Sequence, residues 1–185
     1  LLWTVEHAAN YGGDGNNVTI GGGSAGGNLS AAIALKARDE NGPKISLQIL
    51  EVPALDLTLA SPSVEQYSGG EYPLPKLELD LCVEGYLRSP EDASNPYASP
   101  LLADDVSGLP PAFIISSEFD PLQMDGSRYA QRLQDAGVPA TFSLGEGHVH
   151  GSSQFTKLLP EAAAWRDQVI DALKTHAADH SGVNA

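Results

Sequence analysis

The chain has 185 residues, of which 42% are hydrophobic and 18% are charged, a balance typical of a folded globular protein. Its 24 acidic and 10 basic side chains give a net charge of -14. Because nucleic-acid binding needs clustered Lys and Arg, this charge argues against a nucleic-acid partner.

The apolar stretches, such as Ala31 to Leu35, are far shorter than the roughly 20 residues that cross a bilayer, so no membrane span is expected. The single cysteine, Cys82, has no partner for an internal disulfide, which favours a reducing compartment and predicts a cytoplasmic location.

The first 52 residues predict a helix followed by one βαβ unit. Residues 1–10 have the apolar spacing of a helix, yet the chain opens on Leu1 rather than Met. We therefore expect a fragment of a longer protein. A strand over 18–20 then leads through the glycine turn GGGSAGG into a helix over 25–38, and a largely apolar strand over 45–52 follows.

The remainder continues to alternate between helices and strands. Its predicted elements are a helix over 76–87, a strand over 112–116, a helix over 122–135, a strand over 140–144 and a helix over 153–175. This alternation predicts an α/β fold with a mostly parallel sheet, in a single domain over 1–185. Residues 57–110 are expected to form an excursion on the pocket or cap side, and 177–185 a flexible tail.

The glycine turn fits two different chemistries. Residues 22–26 match G-x-S-x-G, the strained strand-to-helix turn that exposes a nucleophilic serine, here Ser24. The same stretch matches the dinucleotide-binding pattern G-x-G-x-x-G, with Glu51 at the end of the next strand where a ribose-binding acid belongs. The three glycines of that second pattern are Gly21, Gly23 and Gly26. A third interpretation makes Ser24 a small residue in a tight turn.

Residues that follow later strands favour the serine nucleophile. A nucleophilic serine needs an imidazole to take its proton and a carboxylate to orient that imidazole. In α/β-hydrolases the chain order is serine, acid, histidine, with each residue after a strand. Asp120 follows the strand over 112–116, and His148 and His150 follow the strand over 140–144. The order and the placement therefore predict a hydrolase.

Three segments resemble the hormone-sensitive-lipase-like branch of α/β-hydrolase esterases: GGSAGGNLSAAIALKARD, NPYASPLLADDVSGLPPAFIISSEFDPLQMDG and GHVHG. The resemblance implies an α/β-hydrolase fold and hydrolysis of carboxylic esters through an acyl-enzyme, without a metal or organic cofactor. It also implies Ser24 as nucleophile, Asp120 as triad acid and His150 as base. The backbone N–H of Ala25 would then donate to the oxyanion.

Three departures from that family pattern stand out. The elbow carries Gly23 where the family usually has Asp, and Ser152 follows the H-G pair where Phe is usual. No H-G-G-G oxyanion loop precedes the elbow in this chain. We therefore expect that N-terminal strands and part of the cap are missing, and that this span alone is weak or inactive. Residues 1–185 are expected to need an N-terminal partner segment or to self-associate.

Several alternatives remain open for individual residues. Asp56 is a rival acid, and Asp120 also suits a helix cap. Spacing does not separate His148 from His150, although the resemblance favours His150. Glu118 and Asp125 flank the predicted acid and would tune it or be solvated. For the whole chain, the alternatives to an esterase are an NAD(P)-binding oxidoreductase and a catalytically silent hydrolase-fold binding module. The esterase hypothesis predicts a small-molecule ester as the substrate.

Overall fold

The computed structural model describes residues 1–181, and a four-stranded parallel sheet forms its centre. The strands are β1 Val18–Gly23, β2 Ile45–Glu51, β3 Ala112–Phe119 and β4 Ala140–Val149. Their order in the sheet is β1-β2-β3-β4, and each neighbouring pair is parallel. The predicted α/β fold with a parallel sheet is therefore confirmed, and the carboxyl ends of all four strands lie at one edge of the sheet.

Within residues 1–181 the chain also forms six α-helices, the first of them before β1. They are α1 Leu2–His7, α2 Ala25–Asp39, α3 Pro62–Tyr67, α4 Lys76–Tyr86, α5 Gln123–Asp135 and α6 Pro160–Ser181. Short 3₁₀ turns cover Ala8–Tyr11, Pro90–Ser94, Pro100–Leu102 and Ser152–Gln154. No helix of the described residues is both long enough and apolar enough to span a bilayer. The sequence did not predict α3, which begins at a proline in the irregular segment.

Both faces of the sheet are covered, which is why β2 and β3 are apolar almost throughout. Successive side chains of a strand point to opposite faces. Leu50 and Ile114 accordingly pack in a cluster with residues of α2 and α5 on one face. Ile49 and Phe113 pack with Trp165 of α6 on the other. The two clusters hold the strand ends, and hence the residues that follow them, in fixed positions.

Strands β3 and β4 extend beyond their predicted ends at 116 and 144. Glycines usually weaken a strand, so the sequence GEG at 145–147 indicated a strand end. In the fold Gly145 is paired with Ser117 of β3, and a Cβ at this position would overlap the Trp165 ring. Glycine is therefore required here by close packing, and β4 continues to Val149.

Helix α6 differs from its prediction at both ends. It was predicted over 153–175 but covers Pro160–Ser181. Proline has no N–H and clashes inside a helix, whereas it is favoured in the first turn; the segment before Pro160 therefore forms turns instead. Of the tail predicted over 177–185, residues up to Ser181 are helical, and 182–185 lie outside the described residues.

Candidate active site

Ser24 occupies a strained turn between β1 and α2. Its backbone has φ 55° and ψ -116°, a conformation that residues other than glycine rarely adopt. The N–H of Ser24 donates to the carbonyl of Glu51 at 2.8 Å, which fixes the turn to the end of β2. A Cβ on Gly22 would lie 2.7 Å from the backbone of Gly26, so the small residues of the motif are needed for the chain to reverse. This is the geometry of a nucleophile elbow.

Asp120 and His150 meet Ser24 across the carboxyl end of the sheet. Asp120 follows β3 and is fully buried, and its Oδ1 accepts the N–H of Leu122 at 2.9 Å. Its Oδ2 lies 2.7 Å from Nδ1 of His150, and Nε2 of His150 lies 3.0 Å from Oγ of Ser24. The carboxylate accepts the Nδ1 proton, so Nε2 is left to accept the serine proton. The three predicted residues are therefore joined by hydrogen bonds.

The rival residues have other partners. Asp56 bonds to the N–H and hydroxyl of Thr58 in a local turn. His148 is buried against Trp165, with ring centroids 5.1 Å apart. Glu118 accepts the N–H of Gly147 at 2.8 Å and thereby holds the segment that leads to His150.

Asp125 is buried beside the acid rather than solvated. It accepts the N–H groups of Leu55 and Asp56 and contacts the hydroxyl of Ser61. Removal from water raises the pKa of this carboxyl from 3.8 to about 6, against the opposing effect of the three hydrogen-bond donors. Through these bonds Asp125 supports the loop that follows β2, and none of them is to Asp120.

An apolar cavity opens beside Ser24. It has a volume of about 210 Å³, and Ala25 lies in its wall next to the serine. Ala25 is the first residue of α2, and the first N–H groups of a helix lack intrahelical acceptors, so its N–H is a suitable oxyanion donor. Most of the wall is aliphatic, and its aliphatic residues include Leu57, Leu59, Leu74, Leu79, Val83 and Leu122.

Helix α4 lies within the segment 57–110, which was expected on the pocket or cap side, and it contributes cavity residues that were not predicted individually. Leu79, Cys82, Val83 and Tyr86 all line the cavity, and their spacing of three and four residues is that of one helix face. The helical spacing of these residues is visible in the sequence, but nothing in the sequence indicates that this face of α4 lines a cavity beside Ser24. Cys82 is exposed at the cavity wall and is not a packing residue.

The residue predicted to bind the ribose of a dinucleotide has another partner. Glu51, the predicted ribose ligand of the alternative, accepts the indole N–H of Trp165 at 2.6 Å on the α6 side of the sheet. Within residues 1–181, no three His, Cys, Asp or Glu side chains are grouped closely enough to hold a metal ion.

Comparison with known proteins places the chain in a family. A family model described as alpha/beta hydrolase fold matches residues 1–154. An arylesterase of Saccharolobus solfataricus is 41% identical over 150 residues, 81% of this chain and 49% of the relative. The carboxylic ester hydrolase LipN of Mycobacterium tuberculosis is 38% identical over 182 residues, 95% of this chain and 48% of the relative.

A solved structure agrees with these sequence matches. The hyperthermophilic esterase of the archaeon Pyrobaculum calidifontis superposes with a TM-score of 0.91 at 36% identity, covering 95% of this chain and 58% of that one. The chain thus spans about half the length of the curated relatives that it matches. The family model, the identities and the superposition agree, and the chain belongs to the α/β-hydrolase fold family.

Proposed function

We propose that the protein containing this chain is a serine carboxylesterase. The observation that carries the proposal is the hydrogen-bonded series Ser24, His150 and Asp120, with 3.0 Å and 2.7 Å between the bonding atoms. The esterase names of the relatives support the same reaction class. NAD(P) binding has no comparable support, because Glu51 is bonded to Trp165.

The reaction would proceed in two halves. Oγ of Ser24 attacks the ester carbonyl carbon as its proton passes to Nε2 of His150, and Asp120 stabilises the resulting imidazolium. The carbon–oxygen bond to the alcohol then breaks, and His150 returns the proton to the departing oxygen. Water repeats the sequence on the acyl-enzyme, which releases the acid and restores Ser24.

The substrate we propose is a small ester with an apolar acyl group. The cavity beside Ser24 is lined by aliphatic side chains, so an alkyl group transferred there from water is stabilised by burial. The backbone N–H of Ala25 would donate to the developing oxyanion. Removal of one hydrogen-bond donor to the oxyanion commonly lowers the rate about 100- to 1000-fold, so a single donor would leave the reaction slow. We propose that a second donor comes from a partner segment N-terminal to this chain or from a second copy of the chain.

The test is ester turnover by the full-length natural protein with and without its serine. Ser24→Ala should lower kcat for a short-chain chromogenic ester by about four to six orders of magnitude. A fluorophosphonate probe should label the wild type and leave this variant unlabelled. Ser107→Ala is the matched control, because its hydroxyl bonds only within an exposed turn to Asp105.

Two outcomes would contradict the proposal. Unchanged turnover in Ser24→Ala would assign the activity to another residue. A folded wild type that neither turns over esters nor reacts with the probe would favour a catalytically silent binding module. We also propose a cytoplasmic location, on the ground that the exposed thiol of Cys82 is stable in a reducing compartment; cell fractionation tests this.

A further inference from the structure

A second group of polar side chains, three of them buried, lies next to Ser24, His150 and Asp120. It consists of Glu51 at the end of β2, Trp165 on α6, and His148 and Ser152 on either side of His150. None of these four residues takes part in the proton transfers described above. Trp165, His148 and Ser152 are 2%, 5% and 7% exposed, so their polar atoms need partners within the protein.

Ser152 fixes the turn that presents His150. Its Oγ accepts the N–H of Val149 at 3.2 Å and donates to the carbonyl of the same residue at 2.8 Å. Nδ1 of His148 lies 2.7 Å from this oxygen. Since the hydroxyl has one proton and gives it to the carbonyl, His148 carries its proton on Nδ1 and donates it to Ser152. The residues before and after His150 are therefore tied together directly.

Trp165 connects this turn to the nucleophile. Its indole and the His148 ring pack edge to face, with 5.1 Å between centroids and 64° between the ring planes. Its N–H donates to the carboxylate of Glu51 at 2.6 Å. The backbone carbonyl of that same Glu51 accepts the N–H of Ser24 at 2.8 Å. A continuous series of contacts thus runs from the turn around His150 to the strained backbone of Ser24, by a route separate from Asp120.

We propose that Glu51, Trp165, His148 and Ser152 form a brace that holds the His150 imidazole at bonding distance from Ser24. The proposal rests on the proposed function for its catalytic consequence. The four side chains are positioning residues, because each acts through another group. Loss of one contact would let the His150 turn and the elbow move independently, and a misplacement of about 1 Å at a reacting pair can lower a rate about 100-fold.

Each variant in the experiment removes or replaces one hydrogen-bonding group of the brace. Ser152→Ala removes the hydroxyl, and Trp165→Phe removes the indole N–H. His148→Asn keeps an N–H donor near the position of Nδ1, whereas His148→Phe keeps an aromatic ring and loses the N–H that donates to Ser152. Ser143→Ala is the control, because Ser143 also joins β4 to α6, through Gln168 at 2.6 Å, but lies on β4 away from its carboxyl end.

Two readouts are measured on the full-length natural protein: kcat and KM for a short-chain ester, and hydrogen exchange of residues 147–152. Ser152→Ala and His148→Phe should lower kcat about 10- to 100-fold, change KM less than about twofold and accelerate exchange of the segment. His148→Asn should recover most of the lost kcat, and Ser143→Ala should change neither readout.

The outcomes separate the brace from the esterase itself. Unchanged exchange of 147–152 in Ser152→Ala and Trp165→Phe would overturn the brace, whether or not the wild type is an esterase. Faster exchange with unchanged kcat would overturn its positioning role. A wild type without turnover would instead refute the proposed function, and the exchange measurements would still decide whether the four residues hold the turn.

Discussion

Replacement of Asp125 by Asn should remove a pH dependence of folding that the buried carboxyl imposes. Asp125 is 2% exposed, and its pKa rises from 3.8 to about 6 because burial penalises the charged form. The folded state therefore binds this proton more tightly than the unfolded state does. The stabilisation is fully present below about pH 4 and is lost as the pH rises through about 6.

The size of the change in unfolding free energy follows from the pKa shift of Asp125. A rise of roughly two pKa units corresponds to about 3 kcal/mol of difference in unfolding free energy between the two protonation states. Urea unfolding of the wild type and of Asp125→Asn at pH 4, 5, 6 and 7 measures it. The free energy of unfolding of the wild type, taken relative to that of the variant, should fall by about 2 to 2.5 kcal/mol between pH 4 and pH 7. The fall is smaller than the full value of about 3 kcal/mol because the unfolded carboxyl is already partly ionised at pH 4.

Asp135→Asn provides the control, because Asp135 is an exposed carboxylate on the same helix. Its difference from the wild type should stay constant with pH. If the Asp125 difference also stays constant, or if the wild type gains stability relative to Asp125→Asn as the pH rises, the reasoning from desolvation is wrong.

Three further predictions concern the elbow and the cavity. Gly22→Ala should lower kcat more than about 100-fold, because its Cβ would meet the Gly26 backbone at 2.7 Å; normal kinetics would show that the elbow tolerates a side chain. Asn28→Asp should destabilise the fold by about 3 to 5 kcal/mol in urea unfolding, since Nδ2 of Asn28 donates to the carbonyls of Ala54 and Ala98 and a carboxylate would repel both. Alkylation of Cys82 should raise KM for a hexanoyl ester about tenfold and for an acetyl ester less than twofold; equal effects would place the acyl chain elsewhere.

Local patterns in the sequence predicted the fold class, and together with the family resemblance they singled out the three residues, Ser24, Asp120 and His150, that the structure joins by hydrogen bonds. The apolar runs of β2 and β3 indicate strands covered on both faces, and the glycines around Ser24 indicate a sharp turn. These signals are local, because each depends on a few neighbouring residues. The strand ends were less well predicted, since the glycines at 145–147 indicate a break unless the packing of Trp165 is known.

Sequence spacing gave no way to assign the two histidines. His148 and His150 are two residues apart, and in a regular strand both would point to the same face. The strand ends at Val149, and Gly151 has φ 77°, so the turn sends the two rings to different neighbours. The contact between Glu51 and Trp165 was equally hidden, because it joins residues 114 positions apart without any local pattern.

The strands lie in the sheet in the same order as in the chain, so the sheet is completed only when its last strand has been synthesised. Ser24 lies after the first strand of the sheet and His150 after the last, 126 residues later. At translation rates of about 5 to 20 residues per second, the ribosome takes about 6 to 25 seconds to cover that interval. Throughout this interval the nascent chain contains Ser24 but not His150. If Ser24 and His150 act as we propose, reactivity toward esters or phosphonates would arise only after β4 has emerged and docked, and labelling of the nascent chain would report the completion of the sheet.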